Sequence, residues 1–457
     1  MKVLVASLFV DPFMSGSNTN VFRQAYSINK NSNINIEILT NPFEGNWRSL
    51  KPKKSIFQKK LIYEHIFEGI KYHLIYPNDS FNATNICSNV LNVKDWEDAV
   101  NYGINLLKII QPDILHLQHR HSLWWLLESA QTLGIKTIYT VHDWGMACQR
   151  TVLVKGNGEI CNGIINEDKC KKCILSGRSK IGNLNEYLIT IKPFRIFLNI
   201  LFKSPLRKIL FKYNIVNLPI DLRVKLNILR LNKILPKINK IIVPSKFGIN
   251  FFSQFNVNAE QFSLIKWFSD PVLVNFDHTN YKTNPTISYV GRISKEKDVE
   301  IIFKALTNLN SDLKFNLNIT GYSDENIYAK YLKDKYGNSI NGHIINWHSW
   351  INPESIYNIS DCILILTGCV ECGPFTLFES FSYKKPVIAA NIKPISENIN
   401  EGENGYLYEI FSISSLITAL INFNYDFKKN KKYIFPAINN TESYNNNIID
   451  CYNTVVK

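Results

Sequence analysis

Two short segments in the second half of the 457-residue chain hold residue types suited to gripping an anionic, hydroxylated ligand. In the first, Tyr289-Val290-Gly291 closes an apolar run and leads straight into Arg292-Ile293-Ser294-Lys295-Glu296-Lys297. A glycine turn at that place delivers Arg292 and Lys297 to one edge of a sheet. Arginine offers a planar fork matched to phosphate oxygens and lysine a mobile point charge, so the two can stabilise a departing diphosphate without metal. The second segment, GCVECGPFTLFESFSYKK (368–385), sets Glu371 and Glu379 eight residues apart around Gly373-Pro374. Proline followed by apolar Phe375, Leu377, Phe378 and Phe381 predicts a loop that turns into a helix near 374. Glu371 then lies in the loop, where it and the N–H groups of 372–375 can hold sugar hydroxyls, while the helix N-terminus favours a phosphate nearby. Glu379, more than a turn into the helix, suits a two-oxygen grip on ribose hydroxyls. The candidate binding residues are therefore Gly291, Arg292, Lys297, Glu371, Cys372, Gly373, Pro374, Phe375 and Glu379. Taken singly, a surface loop and a helix-capping accident account for either segment equally well.

Histidine and cysteine supply the other chemistry-bearing groups. His142 stands in Thr140-Val141-His142-Asp143-Trp144, at the end of an apolar run. In His116-Leu117-Gln118-His119-Arg120-His121, strand alternation puts His116 and Gln118 on one face and His119 on the other, which makes no metal triad. Of these only His119 is kept as a candidate cleft residue. Cys148, Cys161, Cys170 and Cys173 fall within 26 residues, and Cys170-Lys171-Lys172-Cys173 has the knuckle spacing of a tetrahedral zinc site. A structural zinc, buried free thiols and disulfides all fit that spacing. The zinc, if present, holds the 148–173 loop and does no chemistry. Cys369 and Cys372 also make a C-x-x-C, without metal partners nearby, and read as packing.

Positioning these groups calls for two parallel sheets. Short apolar runs at 2–7, 34–39, 113–118, 136–141 and 240–245 alternate with helical patterns such as 93–110 and 122–133. The alternation restarts at 286–291 and continues through 314–320, 343–347, 362–367 and 386–390. The fold class is α/β, with two doubly wound domains whose strand ends border a shared cleft. The expected division is an N-terminal domain over 1–270, a linker over 271–285 and a C-terminal, nucleotide-binding domain over 286–425. A final helix over 441–457 carries Tyr444, Ile448, Tyr452 and Val455 on one face, to dock on a neighbouring surface. The Asn- and Lys-rich tract 424–447 reads as a loop.

The combination of Arg292 and Lys297, the Glu371/Glu379 pair followed by KKPVIAA (384–390) and ENGYLY (403–408), and TVHDW (140–144) resembles the retaining glycosyltransferases of family 4 (group 1), which have the GT-B fold. The resemblance implies two Rossmann-like domains facing a central cleft. It implies that Arg292 and Lys297 bind the diphosphate of a nucleoside-diphosphate sugar, Glu379 the ribose and Glu371 the transferred sugar. His142 would lie on the first-domain side, near donor sugar and acceptor. Catalysis would need no metal cofactor, and the chain contains no D-x-D triplet. Three departures stand out. The first glycine-rich loop, usually a double glycine, is Ser15-Gly16-Ser17-Asn18, leaving Gly16 as the one flexible position. Asp298 replaces the glycine usual after the clamp lysine, and Lys266-Trp267-Phe268 replaces an asparagine-glycine linker. Contacts to the base are expected from 320–350, with Gly321-Tyr322 and Trp347-His348 as candidates.

Composition bounds the partners. The net charge of +14 is concentrated in 180–240, where thirteen Lys or Arg face only Glu186 and Asp221. Interleaved with Phe, Leu and Ile over 191–213, these read either as a basic amphipathic insertion for peripheral contact with an anionic membrane or as a solvated helical face. No apolar run spans a bilayer, and 2–9 reads as a buried strand rather than a signal core, so a cytoplasmic chain at the inner face of the plasma membrane is expected. A nucleic-acid-binding role lacks any β-platform of aromatics or helix-turn-helix context. A sugar-nucleotide epimerase on the same fold would not call for the clamp and paired carboxylates together. The reading carried forward is a transferase placing a sugar on a glycan or lipid-linked acceptor in cell-surface polysaccharide or lipopolysaccharide biosynthesis.

Overall fold

The computed structural model describes residues 1–7, 17–40, 53–57, 60–75, 93–118, 123–176, 220–271, 283–309, 312–349 and 351–457. They form two compact units, the first comprising Met1–Val243, Ile249–Leu264 and Asn447–Lys457, the second Pro244–Gly248 and Ile265–Asn446.

The first unit is built on nine strands: β1 (Lys2–Ala6), β2 (Asn35–Thr40), β3 (Lys53–Phe57), β4 (Lys60–Phe67), β5 (Ile70–Leu74), β6 (Ile114–Leu117), β7 (Lys136–Thr140), β8 (Lys240–Val243) and β9 (Phe262–Leu264). Their spatial order is β3-β4-β5-β2-β1-β6-β7-β8-β9. All pairs from β5 to β9 are parallel, and only β3-β4 and β4-β5 are antiparallel. Helices Ser17–Asn31, Val93–Ile110 and Trp125–Thr132 connect the parallel strands. Val3, Leu4, Ile114, Leu115 and Leu117 are wholly buried, as expected of central strands covered on both faces. The Lys-rich hairpin of β3 and β4 has no counterpart among the apolar runs read from sequence. It extends the sheet at one edge by antiparallel pairing on β5.

The second unit carries β10 (Thr286–Tyr289), β11 (Asn316–Ile319), β12 (Ser339–Ile340), β13 (His343–Trp347), β14 (Cys362–Ile365), β15 (Val387–Ala390) and β16 (Gly405–Tyr408), in the order β12-β13-β11-β10-β14-β15-β16. Apart from the short antiparallel β12-β13 pair the sheet is parallel. Counted along the chain, its six parallel strands follow the Rossmann order 3-2-1-4-5-6, as do β5-β2-β1-β6-β7-β8 in the first unit. The tract 424–447, read from composition as a loop, is helical at both ends: one helix runs Ile413–Lys428 and the next Thr441–Val456. The first buries Leu416, Ala419, Leu420 and Phe423, and that apolar face outweighs the poor helix propensity of the asparagines beside it.

The end of the chain is fixed by one buried histidine. His116 in β6 is fully buried, its Nδ1 lying 2.8 Å from the Tyr452 hydroxyl and its Nε2 2.7 Å from Thr140 Oγ1. Burial drives its pKa down to about 3, so the ring is neutral and structural rather than catalytic. Among the described residues no helix is long and apolar enough to cross a membrane. Most of the basic stretch, 177–219, lies outside them.

Candidate functional site

In the second sheet β10 and β14 are hydrogen-bonded neighbours, and the winding reverses between them. Open α/β sheets place ligands just beyond the carboxyl ends of strands at such a reversal. Both candidate segments leave the sheet there, Gly291–Lys297 from β10 and 366–374 from β14.

Lys297 ends the short 3-10 turn Lys295–Lys297, and its Nζ forms an ion pair with Glu371 Oε1. The two side chains are only 25% and 18% exposed, so water screens the pair less than at an open surface. Thr367 Oγ1 lies 3.2 Å from the same Glu371 oxygen and accepts the Cys369 N–H at 3.2 Å. The Gly368 N–H donates to Glu296 O at 2.9 Å, tying the two loops together through their backbones. Thr367 was not singled out in the sequence, where it is one more polar residue at a strand end. Arg292 behaves differently: its side chain is 67% exposed, and Nη2 is 3.5 Å from Glu296 Oε1. The structure thus seats Lys297 against Glu371 and leaves Arg292 in solvent, loosely paired. Cys369 and Cys372 are buried and in no disulfide, and burial with the nearby Glu371 charge pushes the Cys369 thiol up to about 11. That thiol is packed and unreactive.

Glycines set the turns. Gly321, at φ +82°, packs so closely that a Cβ there would sit 2.3 Å from Gly291 O. Thr320 N donates to Tyr289 O at 3.1 Å, and Tyr289 OH donates to Arg292 O at 2.7 Å, so the backbone of the clamp loop is held from below. The candidate base contacts are linked through their main chains, with Tyr322 N donating to His348 O at 2.9 Å.

Asp298, standing where glycine is usual, has φ +46°. Only glycine takes this left-handed conformation freely, and aspartate tolerates it better than most residues. Burial raises the Asp298 pKa to about 6. A carboxyl with a raised folded-state pKa binds protons more tightly in the native state than in the unfolded one. Its ionisation therefore costs stability progressively as pH rises from about 4 through about 6. Asp298→Asn removes that titration, so its melting temperature relative to wild type should be lowest near pH 4 and climb to a plateau above pH 6. A difference constant over that range in a thermal melt series would refute the assignment.

The helix Phe375–Ser382 begins after Pro374, whose φ −68° and ψ +131° make it the N-cap residue. Leu377, Phe378 and Phe381 are buried, each contributing on the order of 1.5–3 kcal/mol. Trp267, the linker departure, braces the start of this helix. Its Nε1–H donates to Gly373 O at 2.7 Å and its ring stacks on Phe375 at 4.7 Å between centroids. At the other end Glu379 Oε2 accepts a hydrogen bond from Tyr357 OH at 2.6 Å. Tyr357 carries no motif in the sequence.

The remaining candidates lie elsewhere. His142 belongs to the first unit, where its Nε2 is 2.8 Å from Gln118 Oε1, and Gln118 Nε2 donates to Gln24 Oε1 at 2.8 Å. Gly16 and His119 fall outside the described residues. Cys148, Cys161, Cys170 and Cys173 are free thiols lining one cavity of about 540 Å³ in the first unit. Among the described residues no three His, Cys, Asp or Glu side chains are grouped so as to hold a metal ion. Burial raises the pKa of the Cys148 and Cys170 thiols, and the neighbouring cysteines of the cluster raise it further.

Comparison with known proteins agrees with this architecture. Residues 274–437 match the family model described as glycosyl transferases group 1. Over the whole chain the fold is that of Anabaena HepE in complex with UDP, at TM-score 0.58 and 13% identity, covering 99% of this chain and 100% of that one. It is equally that of the lipopolysaccharide outer core galactosyltransferase WaaB, at TM-score 0.57 and 15% identity, covering 99% of each chain. The chain therefore has the GT-B fold, with two Rossmann-like domains. In sequence, it is 21% identical to the glycogen synthase of Thermus thermophilus over 137 residues, which is 30% of this chain and 31% of that protein.

Proposed function

We propose that the protein is a retaining glycosyltransferase of family 4 type that takes a sugar from a nucleoside-diphosphate sugar. The observation that carries this reading is the Lys297–Glu371 ion pair at the reversal point between β10 and β14, inside the segment that matches the group 1 model. Lys297, with Arg292 swinging in from solvent, neutralises the leaving diphosphate as the bond to the anomeric carbon breaks. Gly291 and the stretch Cys372-Gly373-Pro374-Phe375 bring backbone close to the phosphates, Glu371 holds the sugar and Glu379 the ribose. His142, from the first unit, serves the donor sugar and acceptor. The acceptor hydroxyl attacks from the face the diphosphate leaves, which retains anomeric configuration, and the leaving phosphate takes its proton.

The acceptor in this reading is a glycan or lipid-linked sugar of cell-surface polysaccharide synthesis, as the galactosyltransferase neighbour suggests. The basic, Phe- and Leu-rich segment 191–213 supplies the motive for peripheral contact with the inner face of an anionic membrane. Because Anabaena HepE, a protein of the same fold, was solved in complex with UDP, a uridine donor is tested first. A thermal-shift panel of UDP, GDP, ADP and dTDP without metal, on wild type and on Arg292→Ala/Lys297→Ala, addresses the site directly. A nucleotide at about a hundred times its Kd adds about 2.7 kcal/mol to the folded state. One nucleotide should stabilise wild type and not the double variant. Stabilisation by none, in folded protein, would end the sugar-nucleotide reading.

A further inference from the structure

Glu379 is held by a buried phenol. Tyr357, in the helix Pro353–Ile359, is fully buried and donates from its hydroxyl to Glu379 Oε2 at 2.6 Å. The ring of Tyr357 stacks on Tyr383 at 4.9 Å between centroids and 14° between planes, and Tyr383 caps the end of the helix that carries Glu379. The stack adds packing between the two helices, while burial of the phenol and its hydrogen bond fix the carboxylate's rotation about its last torsion. Burial, together with the neighbouring Glu379 charge, pushes the Tyr357 phenol well above its ordinary value, so it stays a donor at every pH at which the protein works.

We infer that Tyr357 is the positioning residue that makes Glu379 selective for ribose hydroxyls. With one oxygen anchored, the carboxylate presents fixed acceptor directions, rather than the free two-oxygen grip the sequence suggests. A side chain whose hydrogen-bonding directions are locked discriminates strongly against a ligand lacking the matching hydroxyl, because the acceptor is then left unpaired. This inference rests on the nucleotide-sugar reading of the site. It adds that the discrimination between ribo- and 2′- or 3′-deoxynucleotides resides in a residue that never touches the nucleotide.

The experiment is calorimetric titration of wild type and Tyr357→Phe with UDP, 2′-deoxy-UDP and 3′-deoxy-UDP. If GDP or ADP proves to be the stabilising nucleotide, its deoxy counterparts replace these. Wild type should prefer the ribonucleotide to at least one deoxy form by about tenfold or more, the scale of a hydrogen bond to a charged group. Tyr357→Phe keeps the ring and its stack, and should shrink that preference to about threefold or less, mainly by weakening the ribonucleotide. Tyr383→Leu, which loses the stack but keeps the hydroxyl at Glu379, should lower the melting temperature and retain the preference. If Tyr357→Phe does not fold, Glu379→Asp, too short to reach the phenol, should lose the preference in its place. Undiminished preference in Tyr357→Phe, or in Glu379→Asp where that is the variant measured, overturns the inference while leaving the nucleotide site standing. Failure of wild type to bind any nucleoside diphosphate instead removes the reading beneath it.

Discussion

On the proposed function, Lys297→Ala is expected to lower turnover of the sugar donor by about two orders of magnitude or more, the scale on which a preorganised charge that stabilises a leaving group acts. Two effects run in the same direction. The lost ammonium no longer meets the charge that develops on the diphosphate. The change also strips Glu371 of its ion-pair partner at a place where that carboxylate is only 18% exposed. The expected result is a fall in kcat larger than any rise in KM, since the charge on the diphosphate is greatest as the bond breaks. Slow hydrolysis of the nucleotide sugar to water gives a readout that needs no acceptor. Turnover within about threefold of wild type would remove Lys297 from the reaction. Arg292→Ala makes the comparison sharper, because Arg292 is 67% exposed and its loss leaves no half-buried carboxylate behind. Its effect should be confined to donor turnover, with little change in melting temperature.

Gly321→Ala is expected to cost about 3 kcal/mol of stability or more, independently of any function. The new methyl would stand 2.3 Å from Gly291 O, a backbone atom that has no rotamer to retreat into. The residue would also have to hold φ +82°, where an L side chain is strained. Relief requires the turn after β11 and the turn after β10 to part. Urea denaturation of the variant gives the number, and a loss below about 1 kcal/mol would mean that these turns separate easily. Because Gly291 precedes the clamp, a folded Gly321→Ala protein should also show a weakened nucleotide shift.

The fold was largely legible because doubly wound sheets advertise themselves: fully buried parallel strands such as Ile114–Leu117 and Val387–Ala390 are apolar runs of fixed length between helical patterns. What escaped were elements whose stability is not written as apolar periodicity. The edge strand Lys53–Phe57 and its neighbour Lys60–Phe67 form an antiparallel hairpin rather than a βα unit, and the last turns of the helix Ile413–Lys428 carry asparagine and lysine that look like a loop. In the candidate site, motif spacing pointed to Lys297, Glu371 and Glu379. It could not tell that Lys297 and Glu371 touch while Arg292 faces water, since rotamers and local burial decide that. Of the two residues that brace the Glu379 helix, Trp267 showed only as a departure in the linker and Tyr357 left no signal at all. Each acts through one tertiary hydrogen bond whose partner is distant in sequence, 106 residues away for Trp267 and 22 for Tyr357.

The helix Thr441–Val456 has a consequence for how the gene tolerates damage. Chain ends are usually the most expendable part of a domain. A stop codon after Cys451 would delete Tyr452 and Val455, both buried, and leave the His116 ring without one of its two hydrogen-bond partners in a site water does not reach. A buried polar group deprived of its partner costs about 1–3 kcal/mol, in addition to the apolar surface uncovered. Nonsense or frameshift alleles that fall within this helix should therefore behave as loss-of-abundance alleles, although every described residue of the candidate site would still be encoded.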